Sequence, residues 1–87
     1  MIATLSQAAE AMQGVLHGDD RSFKGVSTDT RSIRDGELFF ALQGPNFDGR
    51  DYVDAASEKG AAGAVVSRLT DDDIAQITVD DATAALG

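Results

Sequence analysis

Ser27, Thr28 and Thr30 place hydroxyl groups at three of the four positions just before Arg31, in the run Val26-Ser27-Thr28-Asp29-Thr30-Arg31. A second polar run, Gly44-Pro45-Asn46-Phe47-Asp48-Gly49-Arg50, follows the apolar segment Leu38-Phe39-Phe40-Ala41-Leu42. Hydroxyls and amides both donate and accept hydrogen bonds, and an arginine offers a planar fork to a phosphate or carboxylate. Two such loops on either side of one hydrophobic strand suit a pocket for a polar, phosphate-bearing small molecule. A uracil edge, reading acceptor–donor–acceptor, is one partner that these groups and the loop backbone satisfy. Gly44 and Gly49 permit close backbone approach, Pro45 stiffens the second loop, and Phe47 can pack against a ring.

Each of these residues also has a plain structural reading. Thr28-Asp29-Thr30 can be a side-chain-capped turn, Arg31 can pair with Asp29 or Asp35, and Phe47 can belong to the core. Other chemistry is poorly supported. The sequence has no Gly-x-x-x-x-Gly-Lys-[Ser/Thr] phosphate loop and no Gly-x-Gly-x-x-Gly. Its single histidine, His17, sits beside Gly18 and two aspartates and reads as a surface residue. Neither Ser27 nor Ser67 has a histidine partner at hand for nucleophilic catalysis. Asp71, Asp72 and Asp73 are consecutive, whereas loops that bind hard cations space their ligands at alternate positions, so a turn is expected there and no metal site. The 87 residues alone are expected to bind and not to catalyse.

The elements that must position the loops follow from length and pattern. Eighty-seven residues make one small domain, and a hydrophobic fraction of 43% supports a packed core. No cysteine is present, which removes disulfides and fits a reducing cytoplasm. The N-terminus lacks a basic, then apolar, leader pattern, and no apolar run reaches the ~20 residues of a membrane span. The net charge of −8 argues against nucleic acid and anionic membranes as partners. Residues 21–50, with Arg21, Lys24, Arg31, Arg34 and Arg50, are the only stretch that is not acidic.

Thr4 and Gln7 form a capping-box pattern, and Leu5, Ala8, Ala9 and Met12 share one helical face, predicting a helix from Leu5 to Gln13 that stops at Gly14. Phe23 to Thr28 reads as a strand and Arg34-Asp35-Gly36 as a turn. Glu37 to Leu42 is apolar almost throughout, the mark of a strand covered on both faces. A second helix is expected over Asp51–Lys59, capped by Asp51 and Gly60, with Val53, Ala56 and Tyr52 inward. Ala64–Val66 and Gln76–Val79 complete the strands. Asp81 starts a further helix that is barely one turn long, so the chain is expected to be a piece of a longer protein cut at a domain boundary. The order α-β-β-α-β-β predicts a small three-layer α/β domain, a mixed sheet of about four to five short strands flanked by helices.

At these residues the chain resembles the N-terminal domain of the Mur ligases, which extend the peptidoglycan stem peptide. The pattern is Val26-Ser-Thr-Asp-Thr-Arg31, Gly36-Glu-Leu-Phe-Phe-Ala-Leu42, Gly44-x-x-x-Asp48-Gly49, Asp51-Tyr52, Ala55-Ala56, Gly60-Ala-Ala-Gly-Ala-Val-Val66 and Val79-x-Asp81. It spans nearly the whole chain. Asp29-Thr30-Arg31, Asn46-Phe47-Asp48 and the Thr4-Leu5-Ser6 opening are most like the member that adds D-alanyl-D-alanine. The member that adds the third stem residue is the main competitor.

The resemblance implies a cytoplasmic, monomeric three-domain enzyme of cell-wall biosynthesis whose first domain holds the UDP part of UDP-N-acetylmuramoyl-tripeptide. ATP and Mg2+ would bind a central domain, and an acyl phosphate would be attacked by the amine of D-alanyl-D-alanine, all outside residues 1–87. Carried over by position, uridine contacts fall on Thr28 and Thr30 in the first loop and on Pro45, Asn46 and Phe47 in the second. Some relatives have histidine and a polar residue where this chain has Pro45-Asn46, so backbone contacts are expected there. Asp29, Arg31, Gly44, Asp48 and Gly49 are expected to brace the two loops. A reading from another class is a free-standing acidic interaction module with no nucleotide site.

Overall fold

The computed structural model describes residues 3–44 and 47–86. In chain order the elements are β1 (Ala3–Thr4), α1 (Leu5–Ala11), β2 (Val15–His17), β3 (Ser22–Phe23), β4 (Val26–Ser27), β5 (Leu38–Phe40), β6 (Gln43–Gly44) and β7 (Phe47–Asp48). A 3-10 helix (Gly49–Tyr52), α2 (Val53–Glu58), β8 (Gly63–Val66), β9 (Gln76–Thr78) and α3 (Ala82–Leu86) follow. The main sheet runs β2-β9-β8-β5-β4, with every neighbour parallel except the β2–β9 pair, which is antiparallel. This is the mixed sheet expected from the sequence.

Alternation along β5 and β8 builds two cores, one on each face of the sheet. Leu38, Phe40 and Val65 point into a cluster with Leu5 and Ala9 of α1, Ile77, and Ala82 of α3. Phe39, Ala64 and Val66 point the other way, against Val53 and Ala56 of α2, with Ile33 and Ala41. All three residues of β5 are buried, so the expectation of a doubly covered strand is met. Burying a side chain such as Phe39 contributes about 1.5–3 kcal/mol, and the run Leu38–Phe40 is the central seam of both layers.

Local chemistry fixes the element ends. The Thr4 hydroxyl accepts from the Gln7 amide at 3.2 Å while the Gln7 side chain accepts from the Thr4 amide at 2.9 Å, completing the predicted capping box. Asp81 accepts from the Ala84 amide at 3.3 Å and starts α3. Gly60, with φ of +89°, follows the α2 cap in a conformation that favours glycine. The amide of Gln76, almost fully buried, bonds Thr70 and the Asp72 carbonyl and holds the aspartate run in a turn.

Several expectations are corrected. α1 ends at Ala11, two residues early, and the left-handed residue after it is Gln13 (φ 58°), not Gly14. Gly14 is small because a Cβ there would lie 2.7 Å from the Thr78 carbonyl oxygen. The strand expected over Phe23–Thr28 is broken at Lys24-Gly25: β3 pairs with β1, and β4 pairs with β5. β2 was not anticipated, since a three-residue edge strand with Val15 and His17 exposed carries little apolar signal. Asp51 does not cap the second helix. The chain enters it through the 3-10 turn, where Asp48 accepts from the Arg50 amide at 2.9 Å. Tyr52 is not in the core but 48% exposed, because Val53 takes the inward position.

Candidate functional site

Both candidate loops leave the carboxyl ends of neighbouring parallel strands, the place where open α/β sheets bind ligands. Residues 28–31 follow β4, and the segment from Ala41 through the 3-10 helix follows β5. Between them lies a cavity of about 370 Å³, within the size range of small-molecule sites. Thr28, Asp29, Thr30 and Arg31 form one side, Leu42, Gly49 and Tyr52 the other, and buried Phe39 is the floor.

The first loop is held by its own aspartate. Asp29 Oδ1 accepts from the Arg31 amide at 2.8 Å, and its carboxylate takes the Arg31 Nε and Nη2 at 2.8–3.1 Å. The Asp29 amide donates to the Ser27 hydroxyl at 3.2 Å, and the Asp29 carbonyl accepts from the Ser32 amide at 3.2 Å. The side-chain and backbone hydrogen bonds from Arg31 lower the Asp29 carboxyl to about 2, and the same pairing raises the Arg31 guanidinium. Arg31 therefore pairs with Asp29, and its Nε and Nη2 are committed to bracing the turn. From the cap just after α2, the Lys59 ammonium donates to the Thr30 carbonyl and ties the loop to the end of that helix.

The second loop repeats the device. Asp48 Oδ1 accepts from the Arg50 amide at 2.9 Å, while Arg50 Nε and Nη2 reach its carboxylate at 2.9–3.4 Å. Hydrogen bonds from Arg50 hold the Asp48 carboxyl low. Asp-Thr-Arg at 29–31 and Asp-Gly-Arg at 48–50 are thus twin turns flanking one cleft. Arg31 lines the cleft with its Nε and Nη2 already taken by Asp29, so the hydroxyl and backbone groups of residues 28–30 are the polar groups that the rim offers a neutral ring. Gly49 closes the wall: its amide donates to the Leu42 carbonyl at 2.7 Å, and a Cβ would lie 2.5 Å from that oxygen.

The structure brings together Thr28, Asp29, Thr30, Arg31 and Gly49 at the cleft. Gly44 pairs with Phe47 in the β6–β7 ribbon, and Asp48 caps the turn beside it. Pro45 and Asn46, named from the sequence as contacts, lie outside the described residues. Phe39, Leu42, Tyr52 and Lys59 were missed. Three of them look like ordinary core or surface residues in sequence, and only Tyr52 carried a signal, as an aromatic within a polar run. A larger groove, about 650 Å³, lies elsewhere between α1 and α3, lined among the described residues by four alanines, Met12, Val79, Gln13, Asp80 and Asp81. Among the described residues, no group of His, Asp and Glu is arranged to hold a metal ion.

The fold and cleft define a three-layer α/β domain with a small-molecule-sized cavity at the carboxyl ends of its parallel strands. The model of the "Mur ligase family, catalytic domain" matches residues 22–85, and the chain belongs to the Mur ligase family. It is 43% identical over 84 residues, 97% of its length, to UDP-N-acetylmuramoyl-tripeptide–D-alanyl-D-alanine ligase of Escherichia coli, of which it spans 19%. It is 38% identical over 64 residues, 74% of its length, to UDP-N-acetylmuramoyl-L-alanyl-D-glutamate–2,6-diaminopimelate ligase of Aquifex aeolicus, of which it spans 13%. A crystal structure of MurF from Acinetobacter baumannii superposes with a TM-score of 0.89 at 34% identity, covering 99% of this chain and 20% of that one. The chain thus spans about a fifth of the length of the D-alanyl-D-alanine-adding relatives it matches.

Proposed function

We propose that the chain is the substrate-recognition domain of a cytoplasmic, ATP-dependent amide-forming ligase that adds D-alanyl-D-alanine to UDP-N-acetylmuramoyl-tripeptide. In this reading the cleft between residues 28–31 and 49–52 holds the uridine end. The observation that carries it is the cavity itself, with the Thr28 and Thr30 segment facing Gly49 and Tyr52 above Phe39, in a chain of this family. Hydroxyls and loop backbone provide the donors and acceptors that a uracil edge needs. This chain's part is to hold and orient the nucleotide-sugar. ATP and Mg2+ are assigned to parts of the enzyme beyond Gly87, where a Gly-Lys-Thr phosphate loop is expected.

Addition of the third stem residue is the second reading, favoured by the match to the diaminopimelate ligase. Assaying the full-length enzyme with D-alanyl-D-alanine and with diamino acids as acceptors separates the two. The recognition role is tested by Thr30→Ala and Asn46→Ala in that enzyme. Each is expected to raise the KM for the nucleotide-sugar more than it lowers kcat. Wild-type kinetics in both variants would remove the site assignment.

A further inference from the structure

We propose that the Tyr52 ring is the stacking wall of the cleft, the face against which the ligand's pyrimidine lies while the pyrimidine's edge meets the Thr28 and Thr30 segment. The inference rests on the uridine reading above and adds a residue that determines which ligands fit. Tyr52 ends the 3-10 helix, one position before fully buried Val53. Helical geometry that sends Val53 and Ala56 inward leaves Tyr52 facing out, and 48% of its surface is exposed. It lines the cavity together with residues 28–31 and Phe39, close enough to Arg31 to act on its charge.

Aromatic faces stack on nucleobases, an interaction that survives changes in the base because every base presents a π-face. The same wall gains little from an open-chain ligand, so it selects planar heterocycles. Gly49 sets the wall's distance. Its backbone packs directly on Leu42, which anchors the turn carrying Tyr52.

The chain has one tyrosine, four phenylalanines and no tryptophan, which makes the test direct. The probe is uridine diphosphate, added to the 87-residue chain with its phenylalanine and histidine rings deuterated. Nuclear Overhauser contacts are read between the tyrosine ring and uracil H5 and H6, and affinity is measured by calorimetry. The expected results are a contact to Tyr52 and about tenfold weaker binding by Tyr52→Ala, the ~1.4 kcal/mol that a tenfold change represents. Tyr52→Phe is expected to restore the affinity, because the ring is kept. Amide spectra of each variant verify the fold, with Tyr52→Leu as the substitute if Tyr52→Ala does not fold. If uridine diphosphate binds with no tyrosine contact and Tyr52→Ala or Tyr52→Leu keeps wild-type affinity, Tyr52 is not the wall and the uridine reading stands. If it does not bind the wild-type chain at millimolar concentration, the uridine reading fails and the stacking wall with it.

Discussion

Replacing Gly49 by alanine is the most demanding test of how the cleft is built. The added Cβ would lie 2.5 Å from the Leu42 carbonyl oxygen, 2.6 Å from the Ala41 carbonyl carbon and 2.6 Å from the Leu42 nitrogen. All three are backbone atoms at the exit of β5, so no side chain can swing aside. The 3-10 turn must move off the strand, at about 1–3 kcal/mol for overpacking. The Gly49–Leu42 hydrogen bond stretches with it, which costs about 1 kcal/mol more. A loss near 3 kcal/mol is a large part of the roughly 4–13 kcal/mol available to a domain of this length. At about 4–8 °C per kcal/mol, the Tm should fall by about 12–24 °C in thermal unfolding followed by circular dichroism. Gly25→Ala is the control. There the three nearest atoms to the new Cβ all belong to the Glu37 side chain, with Oε2 at 2.9 Å, and a side-chain end that keeps only the Arg34 amide on Oε1 gives way more readily than backbone. Its Tm should stay within about 5 °C of wild type, a loss under ~1 kcal/mol. A Gly49→Ala protein as stable as Gly25→Ala would refute the proposed docking of the turn.

Three further outcomes follow from the loop bracing. The Asp29 carboxyl should titrate near 2 by carbon NMR, against about 3.9 unfolded; a midpoint near 4 would dissolve the Arg31 brace. Because the folded value is the lower one, its contribution to stability is complete above about pH 3.9 and lost as pH falls toward 2, so Asp29→Asn should flatten the acid limb of the stability curve in that window. Lys59→Met should leave the Tm within a few degrees, since the residue is exposed, yet speed hydrogen exchange at the Arg31 and Ser32 amides. Unchanged exchange there would mean that Lys59 does not secure the loop.

The layers were legible because β5 and β8 are apolar at successive positions, which only a strand buried on both faces tolerates. Helix starts were legible where a side chain does the capping, as at Thr4 and Asp81. The second helix was misplaced at its start because Asp48 and Asp51 are equally good caps in sequence. The choice between them is made by Gly49, which needs tertiary contact with Leu42 to matter. The twin Asp-x-Arg turns were half legible: their residues stood out, but Arg31 had two possible carboxylate partners until the fold set its geometry. Tyr52 stood out only as an aromatic within a polar run, and Lys59 was not legible as a site residue. One depends on which side of a 3-10 turn faces the cleft, the other on a contact across 29 positions of chain.

The central claim is that the cleft beside residues 28–31 receives the nucleotide end of the substrate. Amide nitrogen–proton spectra of the chain, titrated with UDP-N-acetylmuramoyl-tripeptide, test it most directly. The account predicts that the largest shifts fall on Thr28–Ser32 and Gly49–Tyr52, the two walls of the cavity. Shifts centred instead on Ala8–Gln13 and Ala84–Ala85, or no shifts at millimolar ligand, would contradict it.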